Sequence, residues 1–92
     1  MDTLNPEQIK AALGELTDWG FEDNALTRTF RFADFVHSVS FVEHLAELAE
    51  ERQHHPDIDI RYNKVTLRLS THSAGGVTQR DVELAETIDH LV

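Results

Sequence analysis

The chain has no cysteine, and its 92 residues include two prolines, four glycines and one residue each of Met, Trp and Tyr. Without cysteine, the fold has no disulfide scaffold, and any reactive site must work without a thiol. Because Pro and Gly do not cluster into a linker, the length predicts a single domain over residues 1–92. A core of this size is only marginally stable alone, so oligomerisation would stabilise it.

Positive charge is scarce. Eight Lys and Arg residues stand against 17 Asp and Glu residues, which gives a formal net charge of −9 at pH 7. Nucleic-acid binding depends on neutralising phosphates, so this balance argues against a nucleic-acid partner. Arg31, Arg61 and Arg68 form a candidate basic strip for an anionic partner on the polar strand faces, but solvated arginines paired with Asp59 explain them more simply.

Long apolar runs are absent as well. No segment approaches the roughly 20 apolar residues that a membrane-spanning helix needs. The first ten residues lack the basic segment and apolar core of a signal peptide. These absences predict a soluble protein of the cytoplasm without membrane contact.

The sequence contains clear signals for where its helices begin. Asn5 with Gln8 predicts a capping box at the first helix, and Thr78 with Asp81 predicts one at the last. Asp34 is the candidate cap of a long second helix between them. The residue before a proline is disfavoured in helical geometry, so this second helix should end before His55.

Alternating apolar and polar residues predict strands. "WGFE" is a candidate short strand, and "ALTRTFRF" is a half-buried strand. In the next run, Ile58, Ile60 and Tyr62 should face inward. An "NK" turn then leads into the strand from Val65 to Leu69. Each strand has one apolar face, which helices can cover. The order helix, strand, strand, helix, strand, strand, helix therefore predicts an open-faced α+β sandwich, antiparallel within each hairpin.

Three of the six histidines lie at predicted structural breaks. His54 and His55 stand side by side before Pro56, and His72 follows the last strand. If the two strands between them pair as a hairpin, all three histidines reach one edge of the sheet and can line one pocket. Imidazole gains or loses a proton near neutral pH, so such a cluster suits general acid/base catalysis.

Each histidine also has an ordinary explanation. A histidine near a helix C-terminus suits the helix dipole, His72 can simply follow a strand, and Asp81 can serve only as a cap. His37 and His44 lie seven apart on one helix and are best explained as a solvated face. It is the convergence of His54 and His55 with His72 that favours a site.

A zinc site is the alternative that the same residues offer. His54, His55 and His72 with Asp57 or Asp81 have the right ligand types. Adjacent histidines before a proline do not match the i, i+4 pairing common in zinc enzymes. The expectation is that the protein holds no metal.

The histidine motif resembles the signature of the pterin-4a-carbinolamine dehydratases. "EERQHHP" is followed by five residues and Tyr62, nine more and His72, and eight more and Asp81. "RYNKV", "STHSAGGVTQRD", "ELAETID" and "FRFADFVHSVSFVEHLAELAE" are also similar to pieces of that family, so the resemblance covers nearly the whole chain. It implies a four-stranded antiparallel sheet with three helices packed on one face, assembled as a homodimer or homotetramer.

The resemblance also implies an activity. Members remove water from a 4a-hydroxytetrahydropterin, giving quinonoid dihydropterin and so recycling the pterin cofactor of aromatic amino-acid hydroxylases. By resemblance, His54 and His72 are the acid/base candidates, and His55 is both a catalytic candidate and a holder of the pterin. The other positions matching residues that line or orient the family's site are Glu50, Thr71 and Asp81. The pterin is the substrate, and no cofactor is expected.

The chain departs from the family pattern in two places. "DI" stands after Pro56 where members often have an acidic residue and tryptophan, and Gln53 replaces an acidic residue before the histidines.

Some members also act as dimerisation cofactors for a transcription factor, and others are assembly factors that have lost catalysis. A non-enzymatic dimerisation, assembly or pterin-binding protein on the same scaffold is therefore the alternative. The presence of every proton-transfer group favours the enzyme.

Overall fold

Capped helices and paired strands follow one another in the predicted order. The computed structural model describes residues 2–92, and in them the chain forms three α-helices, four strands and one 3₁₀ turn. The helices are α1 (Pro6–Glu15), α2 (Phe35–Arg52) and α3 (Gln79–Asp89), and the 3₁₀ turn is His72–Ala74. The strands are β1 (Gly20–Glu22), β2 (Ala25–Arg31), β3 (Asp57–Arg61) and β4 (Lys64–Leu69). The predicted element order is confirmed.

The three helix starts are where the sequence predicts them. Asn5 and Gln8 close a capping box on α1, and Thr78 and Asp81 close one on α3. The side chain of Asp34 caps α2 by accepting from the backbone N–H of His37. That bond, together with the contact from the His37 ring, holds the pKa of the Asp34 carboxyl below its usual range.

The strands form one antiparallel sheet in the order β1-β2-β4-β3. Because β4 lies between β2 and β3, the two hairpins join into a single four-stranded sheet. The helices cover one face, and the core between them and the sheet contains Leu26, Leu45, Leu67, Leu69 and Ile88, all fully buried. The predicted open-faced sandwich is confirmed.

The outer strand β3 departs from the prediction. Ile58 and Ile60 pair with Leu67 and Val65 and so point to the helix-covered face, as predicted, but they remain 41% and 37% exposed. Tyr62 lies in the turn after β3 with φ at +54°, so the tight turn is "YN" rather than "NK". The period-two pattern determines the direction of a side chain, but not whether a helix reaches the edge strand to cover it.

An arginine occupies the core face of β2. Arg28 pairs with Leu67 across the sheet, its guanidinium lies 4.1 Å from the centre of the Phe30 ring, and its Nη1 donates to Asp89 Oδ1 at 2.6 Å. Trp19 Nε1 donates to the same Asp89 oxygen at 2.8 Å. The end of α3 is thereby tied to the sheet and to the loop after α1.

Replacing Arg28 by methionine should lower the free energy of unfolding by about 1.5–3 kcal/mol, because a partly buried charge-assisted hydrogen bond is lost. Urea unfolding followed by circular dichroism measures the change. Arg31→Met is the matched control: Arg31 lies on the same strand but is exposed, so its loss should stay within about 0.5 kcal/mol. Equal losses in both variants would contradict the role given to Arg28.

Candidate active site

The end of α2 turns sharply so that two histidines follow it. Gln53 adopts left-handed geometry, with φ at 51° and ψ at 42°. The N–H of His54 then donates to Ala49 O at 3.1 Å, and the N–H of Gln53 to Glu50 O at 3.2 Å. This pattern usually has glycine at the left-handed position. As predicted, the helix ends before His55, and Pro56 leads directly into β3.

A buried hydrogen bond between two side chains joins this turn to α3. The ring Nε2 of His54 donates to Asp81 Oδ1 at 2.5 Å. His54 is 9% exposed and Asp81 is fully buried. Because a carboxylate only accepts, the shared proton belongs to Nε2, and Nδ1 carries the lone pair of the neutral ring. His54 is thus held in one tautomer.

The other carboxylate oxygen of Asp81 is also satisfied. Oδ2 accepts from the Thr71 hydroxyl at 2.9 Å and from the Thr78 backbone N–H at 2.8 Å. The Thr78 hydroxyl in turn donates to Thr71 Oγ1 at 2.8 Å. Asp81 is therefore both the helix cap and the fixed partner of His54, and its oxygens point into protein rather than toward open space.

A cleft of about 360 Å³ opens beside this pair. That volume falls in the range of small-molecule sites. Of the predicted site residues, His54, His55, Thr71 and His72 line it. The hairpin brings the start of β3 and the end of β4 to one edge, which is the convergence that the sequence predicts. The other lining residues are Gln53, Pro56, Asp57, Ser70, Ser73 and Arg80.

His55 and His72 are exposed where His54 is buried. The ring of His55 is hydrogen-bonded to the Glu50 carboxylate at the rim of the cleft. His72 begins the 3₁₀ turn after β4. Gly75, at the end of that turn, has φ of 80°, and its N–H donates to Thr71 O, which closes the loop. The cleft thus has one ring fixed by a buried carboxylate and two rings in contact with solvent.

Glu50 and Asp81 are not among the residues that line the cleft. Glu50 contacts His55, and Asp81 contacts His54, so each carboxylate orients one of the adjacent histidines. Arg80, Ser70 and Ser73 line the cleft without having been identified from the sequence. The sequence signal for Arg80 is its position next to Asp81, because neighbours in the first turn of a helix can both contact the end of another helix.

Residues 2–92 contain neither a clustered set of metal ligands nor a membrane-spanning helix. No group of three or more His, Cys, Asp or Glu side chains is placed to hold a metal ion. None of the helices in that part of the chain is long and apolar enough to cross a membrane. Metal analysis of the purified protein is the direct test of the expectation that none is bound.

The fold and cleft define a small α+β protein with a histidine-lined pocket at the end of its β3–β4 hairpin. The model of the pterin 4 alpha carbinolamine dehydratase family matches residues 2–91. The chain belongs to that family, as the histidine motif predicts.

Relatives in bacteria and archaea match the chain over nearly its full length. A protein of Chloroflexus aurantiacus, provisionally named a pterin-4-alpha-carbinolamine dehydratase, is 49% identical over 92 residues, covering 100% of this chain and 99% of its own. A protein of Sulfolobus acidocaldarius with the same provisional name is 48% identical, covering 96% of this chain and 97% of its own.

Two solved structures share the fold. The crystal structure of a transcriptional coactivator/pterin dehydratase from Brucella melitensis superposes with a TM-score of 0.93 at 35% identity, covering 98% of both chains. A pterin dehydratase-like protein identified as a RuBisCO assembly factor in the alpha-carboxysome gives a TM-score of 0.65 at 24% identity, covering 79% of this chain and 84% of its own. The second likeness shows the fold alone.

Proposed function

We propose that this protein dehydrates a 4a-hydroxytetrahydropterin to quinonoid dihydropterin by histidine general acid/base catalysis, without metal or cofactor, and so recycles the pterin. The observation that carries the proposal is the buried pair of His54 and Asp81 at the wall of a cleft that also contains His55 and His72. Membership of the family supplies the substrate class.

The reaction needs two proton transfers. The bond from C4a to the hydroxyl oxygen breaks, and that oxygen takes a proton and leaves as water. N5 loses its proton, and its electrons form the C4a=N5 double bond of the product. Each positioned proton-transfer group typically contributes about 10²–10⁴ in rate.

The tautomer of His54 matches the second transfer. With Nε2 donating to Asp81, Nδ1 is the ring atom that can accept the N5 proton, and the carboxylate stabilises the imidazolium that forms. His72 is exposed to solvent, so it can donate to the leaving hydroxyl and regain its proton from water. His55, which is hydrogen-bonded to Glu50, helps to hold the pterin ring. The Thr71 hydroxyl orients Asp81 by donating to its Oδ2.

Turnover of freshly generated 4a-hydroxytetrahydropterin, followed by absorbance, tests the proposal. The wild-type protein should accelerate loss of the carbinolamine well beyond its uncatalysed rate, with and without a chelator. A rate equal to the uncatalysed one would instead favour a non-enzymatic binding or assembly protein on this scaffold.

A second part of the proposal is that the chain forms a homo-oligomer through β3. Among the described residues, β3 has a strand neighbour only on its β4 side, and its apolar Ile58 and Ile60 are part-exposed. Two copies of β3, antiparallel about a two-fold axis at Ile60, would place each Asp59 opposite the Arg61 of the other copy. Opposite charges in such cross-strand positions stabilise a sheet.

Replacing Ile60 by lysine should convert the oligomer to monomer, because two lysines would then face each other at the axis. Sedimentation velocity at several protein concentrations measures the change. Glu86→Lys, which adds a lysine on the exposed face of α3, should leave the oligomer intact. A monomeric wild type would refute this part of the proposal.

A further inference from the structure

Arg80 connects the first turn of α3 to the last turn of α2. Its Nη2 donates to Gln53 O at 2.9 Å and lies 3.4 Å from Arg52 O. These carbonyls belong to the end of α2, where the helix leaves its last acceptors without intrahelical partners. The guanidinium thus lies at the negative end of the helix dipole, where a cation is favoured.

The residue that Arg80 binds carries the backbone strain of the site. Gln53 is in the left-handed region, which disfavours residues with a Cβ, and this geometry sets the direction of the chain into His54 and His55. Its side-chain amide donates to Glu50 O at 2.7 Å, the same carbonyl that accepts from the Gln53 backbone N–H. Gln53 therefore keeps its conformation only because surrounding contacts hold it.

Arg80 and Asp81, both in the first turn of α3, contact two consecutive residues at the end of α2. Arg80 holds the backbone of Gln53, and Asp81 holds the ring of the next residue, His54. The direction in which the His54 ring faces the cleft thus depends on two contacts, one to its own ring and one to the peptide before it. Arg80 also lines the cleft.

The geometry points to Arg80 as a positioning residue that locks the left-handed turn at Gln53 and thereby orients His54 for proton transfer. This assignment rests on the proposed dehydratase function. Lysine is an incomplete substitute at such a site, because its ammonium sits on a flexible stem and is not held in one orientation as the planar guanidinium is. The arginine acts through the histidine and takes no proton itself.

Replacing Arg80 by methionine should lower kcat by roughly 10- to 100-fold with a smaller change in KM, since a misplaced proton-transfer group costs this much in rate. Arg80→Lys should fall between wild type and Arg80→Met. Adding Gln53→Gly to Arg80→Met should restore most of the lost kcat, because glycine adopts the left-handed conformation without strain.

Arg52→Met is the matched control. Arg52 also joins α2 to α3, through Thr87 Oγ1 at 3.2 Å, but its side chain makes no hydrogen bond to Gln53 or His54. We expect its kcat to equal that of the wild type. Urea unfolding of each variant ensures that the assays compare folded proteins.

A readout that needs no turnover separates this inference from the proposed function. The proton shared by His54 and Asp81 should give a downfield NMR resonance that shifts or broadens in Arg80→Met and not in Arg52→Met. If the wild type shows no turnover, the proposed function fails while this resonance still tests the lock. An unchanged resonance in Arg80→Met, or equal losses of kcat in Arg80→Met and Arg52→Met, would overturn the positioning role.

Discussion

Replacing His54 by glutamine and His72 by alanine should each reduce kcat by about 10²–10⁴-fold, and the double variant should approach the uncatalysed rate. Each substitution removes one proton-transfer group while leaving the cleft open. Glutamine is chosen at position 54 because its amide can still donate to Asp81, so the buried carboxylate keeps a partner. Absorbance-monitored dehydration of 4a-hydroxytetrahydropterin measures all three variants against wild type.

His44→Ala serves as the control for loss of a histidine. His44 is exposed on α2, and its ring donates to Ser40 O within the same helix, so its removal should leave kcat unchanged. His72 is exposed too, so its removal should change the free energy of unfolding by no more than about 0.5 kcal/mol. A double variant within a few-fold of the wild-type rate would rule out the acid/base mechanism proposed for these residues.

Asp81→Ala should be the most destabilising single change discussed, with a loss of about 3–5 kcal/mol in the free energy of unfolding. It leaves the His54 ring, the Thr71 hydroxyl and the Thr78 N–H buried without their acceptor. Small domains are stable by roughly 5–15 kcal/mol in total, so a large share would disappear. Urea unfolding under the assay conditions measures it.

Asp81→Asn separates the structural part of this effect from the catalytic part. The amide has the same shape and keeps one acceptor oxygen, so it should cost less stability than alanine does. It cannot stabilise a His54 imidazolium as a carboxylate can, so kcat should still fall by at least 10²-fold. An asparagine variant with wild-type kcat would show that Asp81 is only a helix cap.

Much of the fold can be predicted because its signals are local. The caps at Asn5, Asp34 and Thr78 depend on residues three positions apart, and the alternation of the strands depends on residues two apart, so one short stretch of chain contains each signal. Burial is a different matter. Ile58 and Ile60 have the pattern of inward-facing residues, yet they remain part-exposed on the edge strand, and Arg28 lies on a face that alternation assigns to apolar residues.

The sequence by itself determined the order of elements, the turn before Pro56 and the hairpin that gathers three histidines at one edge, because each depends on backbone preferences of neighbouring residues. Only the tertiary structure decided which histidine is buried. His54 and Asp81 are 27 residues apart and meet because α3 packs against the end of α2. The contact from Arg80 to Gln53 has the same origin. Such contacts follow from how helices dock, which depends on the whole core at once.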